Sequence, residues 1–194
     1  KLAKLFRNLV VIAVRANVAR VNTGDIQRAN QSAALRIARG ELKSPHSIAR
    51  ALRDITPSDD EFAAGFAVLS IDPKGSRKRW LRYLIGEIET DAGGAPIDFE
   101  SGNVTMEHIL PENPGPGWEA FSLEDRMRDT TRLGNITPLE HALNVRAGAS
   151  TFERKRLVYQ QSTYALTKRI TEQEWTPTAL RLRQDAMAKA AVAV

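Results

Sequence analysis

The chain has 194 residues, 42% of them hydrophobic and 26% charged, a composition that supports one large or two small folded domains. The lack of cysteine excludes disulfides and cysteine-type zinc sites and is consistent with the cytoplasm, while no apolar run reaches the roughly 18 residues of a transmembrane helix. The net charge of +5 is compatible with a polyanionic partner, and the start on Lys1 inside a helical pattern leads us to expect a fragment of a longer protein.

Residues 1–92 are predicted to form a helical lobe. Leu2, Leu5 and Leu9 recur with the helical period, and a turn signal at residues 23–25 interrupts the pattern. Ser58 and Glu61 have the spacing of a capping box, which predicts the start of a further helix. The expected helices cover residues 1–22, 26–39, 46–55, 58–68 and 77–88.

Residues 93–194 have a different pattern, which predicts a second domain after the turn-rich segment 91–96. Residues 97–110 alternate loosely and predict two short strands, and residues 133–139 predict a short strand or a bend that runs into a helix. Three further helix starts are predicted from capping residues, at Ser122 with Asp125, at Ser150 with Glu153 and at Thr176-Pro177. The predicted fold class is therefore α+β and mostly helical.

The candidate reaction centre lies in this second half. Glu107 and His108 are adjacent at the end of a predicted strand. Asn135 lies in the next predicted strand, and Asn144 follows nine residues later on a helix. This order of strand, loop, strand and helix is the order found in ββα-metal nucleases, which hold a metal between the first strand and the helix.

These residue types suit the hydrolysis of a phosphodiester. A histidine can take the proton of a water because its pKa lies near neutrality. A carboxylate and an asparagine oxygen suit Mg²⁺, which needs few protein ligands because it keeps waters and binds the substrate phosphate. A second asparagine can accept the imidazole N–H and fix its tautomer. Each of these residues could instead be structural, and His141, three residues before Asn144, is a rival metal ligand.

Four segments within about residues 100–190 read TMEHILPENP, RLGNITPLEHALN, STFERKRLVYQQSTYALTKRI and EWTPTALRLRQDAM. In order and rough spacing they resemble the DUF1524 HNH nuclease domain. That domain forms the C-terminal half of GmrSD-type modification-dependent restriction enzymes and of the related phosphorothioation-sensing protein SspE. The helical first half also resembles the region that precedes the HNH core in those proteins.

The resemblance implies a role for each residue of the set. His108 takes the position of the general base, and Asn135 that of the asparagine that orients the base. Glu107 and Asn144 take the metal-ligand positions, with Mg²⁺ or Mn²⁺ as the ion. The sequence has Glu where many HNH enzymes have Asp, and Asn in place of the final His. The implied fold of residues 93–194 is a ββα-metal (HNH) nuclease core with C-terminal helices.

The resemblance also implies a metal-dependent endonuclease that nicks or cleaves DNA, as the nuclease part of an anti-phage restriction protein. Recognition of the target would belong to an N-terminal DUF262 half of the same protein. Two alternatives stay open: a DNA-binding or scaffolding module with a degenerate nuclease site, and an RNA nuclease. Neither the sequence nor the resemblance predicts an oligomeric state.

Lysine and arginine side chains are expected to hold the DNA backbone. Residues 1–99 carry 16 Lys+Arg against 11 Asp+Glu, whereas residues 100–194 carry 12 of each. We therefore expect the contacts to concentrate in the helical lobe, on a set that includes Lys78, Arg79 and Arg82. The alternative set, close to the reaction centre, is Arg132, Arg154 and Lys155. An ordinary solvated surface is an equal alternative for these charges.

Overall fold

The computed structural model describes residues 2–193 and shows an α+β protein that is mostly helical. Within that range it has ten α-helices, two 3-10 helices and one two-stranded sheet. The chain divides into two compact units, Lys1–Phe66 and Ala67–Val194. None of the described helices is long and apolar enough to cross a membrane.

The described part of the first unit is helical throughout. Asn22 starts the second helix by accepting a hydrogen bond from the Gly24 backbone N–H at 2.8 Å, and Gly40 follows its end with a φ of 73°. The predicted capping box is confirmed, because the Ser58 backbone N–H donates to the Glu61 carboxylate at 2.8 Å. The elements are α1 (Leu2–Val18), α2 (Thr23–Ala38), α3 (Pro45–Ala51), a 3-10 helix (Arg53–Ile55) and α4 (Asp59–Ala67).

A small apolar core holds the helices of the first unit together. It brings residues of α1, α2 and α3 against the 3-10 helix and the loop that precedes α3. Arg15 of α1 lies over the ring of Phe62 at 5.2 Å and is paired with Asp59, so α1 is also fixed to α4. The buried core residues are Ile12, Ala33, Leu42, Ile48, Leu52 and Ile55.

The second unit combines the sheet with six α-helices and a 3-10 helix. Its elements are α5 (Lys78–Asp91), β1 (Val104–His108), α6 (Leu123–Asp129), a 3-10 helix (Leu133–Asn135), β2 (Ile136–Glu140), α7 (His141–Ala147), α8 (Phe152–Tyr159), α9 (Ala165–Lys168) and α10 (Pro177–Ala193). Strands β1 and β2 pair antiparallel, with Val104 opposite Glu140 and His108 opposite Ile136. Helix α7 begins directly after β2, so the two strands and α7 follow one another in the predicted order.

Aromatic residues distant in sequence form much of the core of the second unit. Phe152 of α8 stacks on Trp175 with ring centres 5.5 Å apart, and Trp118 meets Phe152 edge-on at 6.3 Å. Trp118 and Trp175 are buried, and both donate their indole N–H to oxygen acceptors, Ser150 O and Asn135 Oδ1 respectively. This core fixes the helices α8 and α10 next to the sheet.

The structure differs from the sequence predictions at two points. Residues 97–110 contain one strand and not two, because the segment before Val104 is held in turns by the carboxylate and carbonyl of Asp98. Helix α8 starts after Thr151, and the expected capping box of Ser150 with Glu153 does not form. The two compact units divide after Phe66, and α5 packs on α9 and α10 within the second unit. The domain boundary at residue 92 stays a prediction.

Candidate active site

The end of strand β1 presents the first two predicted site residues, Glu107 and His108. Both side chains are buried, with 6% and 9% of their surface exposed. The strand end is tied to the neighbouring chain segment, since the Ile109 backbone N–H donates to the carbonyl of Asn135 at 2.9 Å. Alternation along β1 directs Glu107 and Thr105 to one face of the strand and His108 to the other.

The carboxylate of Glu107 is paired with a buried lysine. Its Oε1 accepts hydrogen bonds from Lys155 Nζ at 2.6 Å and from the Tyr159 hydroxyl at 2.9 Å, both from α8. Lys155 Nζ also donates to the backbone carbonyl of His108 at 2.6 Å. Burial raises the pKa of Glu107, against the opposing effect of the Lys155 ammonium, and burial likewise lowers the pKa of Lys155.

The imidazole of His108 has a free nitrogen. Among the described residues its Nε2 atom is buried and has no hydrogen-bond partner. Burial lowers the pKa of His108 below its usual value, and the nearby Glu112 carboxylate opposes that effect. Glu112 Oε1 lies 4.0 Å from Nε2, and its other oxygen is paired with Lys74 Nζ at 2.6 Å. A neutral imidazole with an available lone pair is the form in which a histidine acts as a base.

Glu112 is also part of the wall of an open cleft beside His108. The cleft has a volume of about 570 Å³. Helix α6 contributes two exposed apolar side chains to it, Leu123 and Met127. Thr130, which follows α6, lines it as well. Glu112 links the cleft to the candidate base, because its Oε1 lies 4.0 Å from His108 Nε2, whereas His108 itself does not line the cleft.

Asn135 is completely buried and uses its amide for other contacts than the predicted one. Its Nδ2 donates to the carbonyls of Leu110 at 3.0 Å and Thr130 at 2.9 Å. Its Oδ1 accepts from the Leu110 backbone N–H at 2.8 Å and from the Trp175 indole at 3.2 Å. An amide has two N–H donors and one oxygen with two lone pairs, so these four bonds leave no capacity for the imidazole of His108. In place of the expected contact with the His108 imidazole, Asn135 binds the main chain of Leu110, two residues after His108.

Asn144 lies on α7 and contacts β1. Its Nδ2 donates to the Thr105 hydroxyl at 2.6 Å, and that hydroxyl donates to the Leu139 carbonyl at 3.1 Å. Because Thr105 and Glu107 share a face of β1, the structure brings Asn144 to the face that also carries Glu107. His141, the rival ligand on the same helix, is exposed.

The two predicted metal ligands fit a hard cation by the chemistry of their donor atoms. A carboxylate and an amide oxygen are ligands that Mg²⁺ accepts, and Mg²⁺ completes its shell with waters and substrate oxygens. Oε1 of Glu107 is already shared by Lys155 and Tyr159, and the His108 backbone N–H also bonds the carboxylate, so a cation would use the lone pairs that remain. Within the described residues no three His, Cys, Asp or Glu side chains form a metal-binding group.

The residues predicted to contact DNA differ widely in exposure. Lys155 is 1% exposed, which removes it from the residues that could contact a phosphate in this conformation. Arg132 donates to the Ala67 carbonyl and lies near Asp129, and Arg82 is paired with Glu100 at 3.0 Å. The side chains that remain exposed are Lys78, Arg79 and Arg154.

Sequence reasoning missed three residues that surround the pair Glu107 and His108. Tyr159 and Lys74 reach the site from distant segments, and no sequence pattern marked either of them for that role. Glu112 had a detectable signal, because it lies four residues after His108 in the segment EHILPE.

Residues 56–190 match the family described as GmrSD restriction endonucleases, C-terminal domain. The match covers more than two thirds of the chain. This chain belongs to that family. No match was found among curated proteins. As a GmrSD C-terminal domain, the matched region includes β1, β2, α7 and α8, which carry the candidate site, and it begins upstream of the boundary predicted at residue 92.

Proposed function

We propose that this GmrSD C-terminal domain is a metal-dependent HNH-type endonuclease that nicks or cleaves DNA, with a ββα-metal core formed by β1, β2 and α7. The observation that carries the proposal is the free, buried Nε2 of His108, beside a cleft and next to Glu107 in sequence. A buried polar atom without a partner is rare in a purely structural role, because it costs free energy on folding. Such an atom is expected where a substrate or a water binds.

His108 acts as the general base in this proposal. Burial keeps its pKa low, so at neutral pH the ring is uncharged and Nε2 can take the proton of a water that attacks the phosphate. The imidazolium formed in this way would lie 4.0 Å from the Glu112 carboxylate, a distance at which an opposite charge stabilises it. The phosphate would lie past the end of β1, where side chains from both faces of the strand can reach it.

Glu107 and Asn144 would hold the divalent cation, Mg²⁺ or Mn²⁺. When bound, that cation would stabilise the charge that develops on the phosphate and on the departing oxygen. Asn135 acts as a positioning residue, since two of its side-chain hydrogen bonds hold the main chain of Leu110, close behind His108, and the other two fix the amide to Thr130 and Trp175. The substrate would be DNA, with target recognition supplied by an N-terminal DUF262 half, as in the family that the sequence resembles.

A nicking assay on the purified chain tests the proposal. Supercoiled plasmid is incubated with the chain and Mg²⁺ or Mn²⁺, with EDTA in a parallel sample and a structured RNA of similar length as a second substrate. We expect conversion of the plasmid to nicked or linear forms only with the metal, and little cleavage of the RNA. A chain that binds plasmid but leaves it intact with either metal would favour a DNA-binding module with a degenerate site, and preferential cleavage of RNA would contradict the choice of substrate.

A further inference from the structure

Helix α8 carries a lysine whose charge is hidden from solvent. Lys155 is 1% exposed, whereas the preceding residue, Arg154, is exposed. The Lys155 ammonium donates to two acceptors, Glu107 Oε1 and the His108 carbonyl, each at 2.6 Å. Burial of an ammonium is unfavourable unless it is paired and hydrogen-bonded, so a lysine at this position needs both acceptors.

We propose that Lys155 is a positioning residue that fixes the end of β1 and thereby the direction of the His108 imidazole. One of its bonds reaches the side chain of Glu107, and the other reaches the main chain of His108 itself. The inference rests on the proposed function, in which His108 is the base. It assigns Lys155 no contact with the phosphate.

The pattern of hydrogen bonds around β1 supports this role. Asn135 holds the main chain at Ile109 and Leu110, and Lys155 holds it at His108. The Nε2 atom of His108 has no partner among the described residues, so no bond at that nitrogen fixes the ring. The direction of the ring therefore depends on the packing around it and on the main chain from which it projects. Lys155 supplies the bond closest to that point.

A buried ion pair is weak evidence for a purely stabilising role. Its Coulombic gain is offset by the loss of hydration of both groups, and apolar replacements of such pairs are often tolerated. Tyr159 donates to the same carboxylate oxygen and would keep one partner for Glu107 if the lysine were absent. Lys155, unlike Tyr159, bonds both Glu107 and the catalytic histidine, which indicates that precise placement is its contribution.

The absence of cysteine from the sequence permits a test that changes only the charge. The Lys155→Cys variant is alkylated in denaturant with 2-bromoethylamine, which gives a lysine analogue with one sulfur in the chain, or with 1-bromopropane, which gives a neutral side chain of equal length. Both products are then refolded. The Leu157→Cys variant undergoes the same treatment and controls for alkylation and refolding at an exposed position of the same helix.

We expect the aminoethyl form of the Lys155→Cys variant to nick plasmid at close to the parental kcat. The propyl form should lose about 10- to 100-fold in kcat, with KM unchanged within about twofold. Without the two hydrogen bonds of the ammonium, the His108 base is misplaced, but substrate binding does not change. Both forms of the Leu157→Cys variant should keep the parental kcat. The Tyr159→Phe variant should lose less than the propyl form, because Tyr159 does not contact His108.

A second readout does not depend on activity. The chain has three histidines, His46, His108 and His141, so their imidazole ring protons can be resolved and assigned by NMR. We expect the propyl form to shift the His108 resonances alone and the aminoethyl form to restore them. If the parental chain does not nick DNA, the proposed function fails, and the NMR comparison alone decides the role of Lys155.

The inference is overturned if the aminoethyl and propyl forms have equal kcat and equal His108 resonances, since the ammonium would then be dispensable. It is also overturned if the propyl form cannot refold under conditions in which the aminoethyl form does, which would make Lys155 a general stabilising residue. A loss that appears as a rise in KM alone would indicate a direct interaction with the substrate instead and would equally overturn it.

Discussion

At the scale of single residues, the environment of His108 combines an unsatisfied ring nitrogen with a well-anchored main chain. Its Nε2 has no partner among the described residues, whereas its carbonyl accepts a hydrogen bond from Lys155 at 2.6 Å. The charges that face the ring are mixed: Glu112 raises its pKa, and Lys74 and Lys155 lower it. Burial has the largest effect and keeps the ring neutral to lower pH than in a solvated histidine.

This environment predicts the pH dependence of cleavage. A general base works when it is neutral, so kcat/KM should hold as the pH falls below the usual histidine range and decline only when the pH passes through the lowered pKa of His108. The Glu112→Gln variant removes a carboxylate that raises this pKa, so its decline should begin at still lower pH. Profiles of kcat/KM against pH for the parental chain and this variant measure both effects. A decline that moves to higher pH in the variant would contradict the account.

Asn144 offers a residue-level test of the proposed metal site. The Asn144→Ala variant removes the amide oxygen and should weaken Mn²⁺ binding by about tenfold or more, whereas Asn144→Asp keeps an oxygen donor and should retain binding. The Thr105→Val variant is the matched control, because it removes the hydrogen-bond partner of Asn144 but not the ligand. Titration of Mn²⁺ followed by its EPR signal measures affinity directly. Equal affinity in the alanine variant and the parental chain would exclude Asn144 as a ligand.

At the scale of elements, the end of β1 is held from two sides, by α8 and by the segment that precedes β2. Asn135 provides the second contact, with two buried hydrogen bonds from its amide to the main chain of Leu110. The adjacent Gly134 allows α10 to approach, because a Cβ at that position would lie 2.6 Å from the Leu180 carbonyl oxygen. Close packing against α10 therefore accounts for Gly134, and the following residue, Asn135, lies next to the candidate base.

The Asn135→Ala variant should destabilise the fold measurably. It leaves the buried N–H and carbonyl of Leu110 without their partner, and each such unsatisfied group costs about 1–3 kcal/mol. We expect a reduced free energy of unfolding in urea, together with lower activity. The Asn30→Ala variant, at an exposed position of α2, should lower neither. If Asn135→Ala reduced activity at full stability, Asn135 would act on the reaction and not through the main chain.

The sequence predicted those features that depend on neighbouring residues. The capping boxes of Ser58 with Glu61 and of Ser122 with Asp125 are closed by hydrogen bonds over three residues, and Thr176 accepts from Ala179 in the same way. The family was also correctly predicted, because its motifs are continuous segments of sequence. Local patterns of this kind are sufficient to identify elements and a family.

The contacts that define the candidate site could not be predicted in this way. Lys155 and Tyr159 reach Glu107 across 48 and 52 residues, and Lys74 reaches Glu112 across 38. A lysine near a predicted active site resembles a phosphate contact in the sequence, and only the packing of α8 reveals that Lys155 is buried. These contacts depend on long-range packing, which follows no fixed spacing in the sequence.

At the scale of the whole molecule, the positive charge is unevenly distributed, since residues 1–99 carry the whole surplus. We predict that DNA affinity depends more on Lys78, Arg79 and Arg82 than on Arg154 near the site. Replacing the first three by Gln should weaken binding to all sequences and reduce the slope of log affinity against log salt by about 0.9 for each phosphate that is no longer neutralised. Fluorescence anisotropy over a salt series measures both. A weaker affinity and a smaller slope only in an Arg154→Gln variant would contradict the prediction.

In the proposed mechanism, His108 is the base of a metal-dependent nuclease. A matched pair of histidine variants tests this role. The measurement is the rate of plasmid nicking with Mg²⁺ by His108→Ala and by His141→Ala, each shown to be folded and to bind DNA. We expect His108→Ala to lose about 10²- to 10⁴-fold in rate, while His141→Ala, which changes an exposed side chain of α7, keeps the parental rate. A folded His108→Ala variant that nicks plasmid at the parental rate would contradict it.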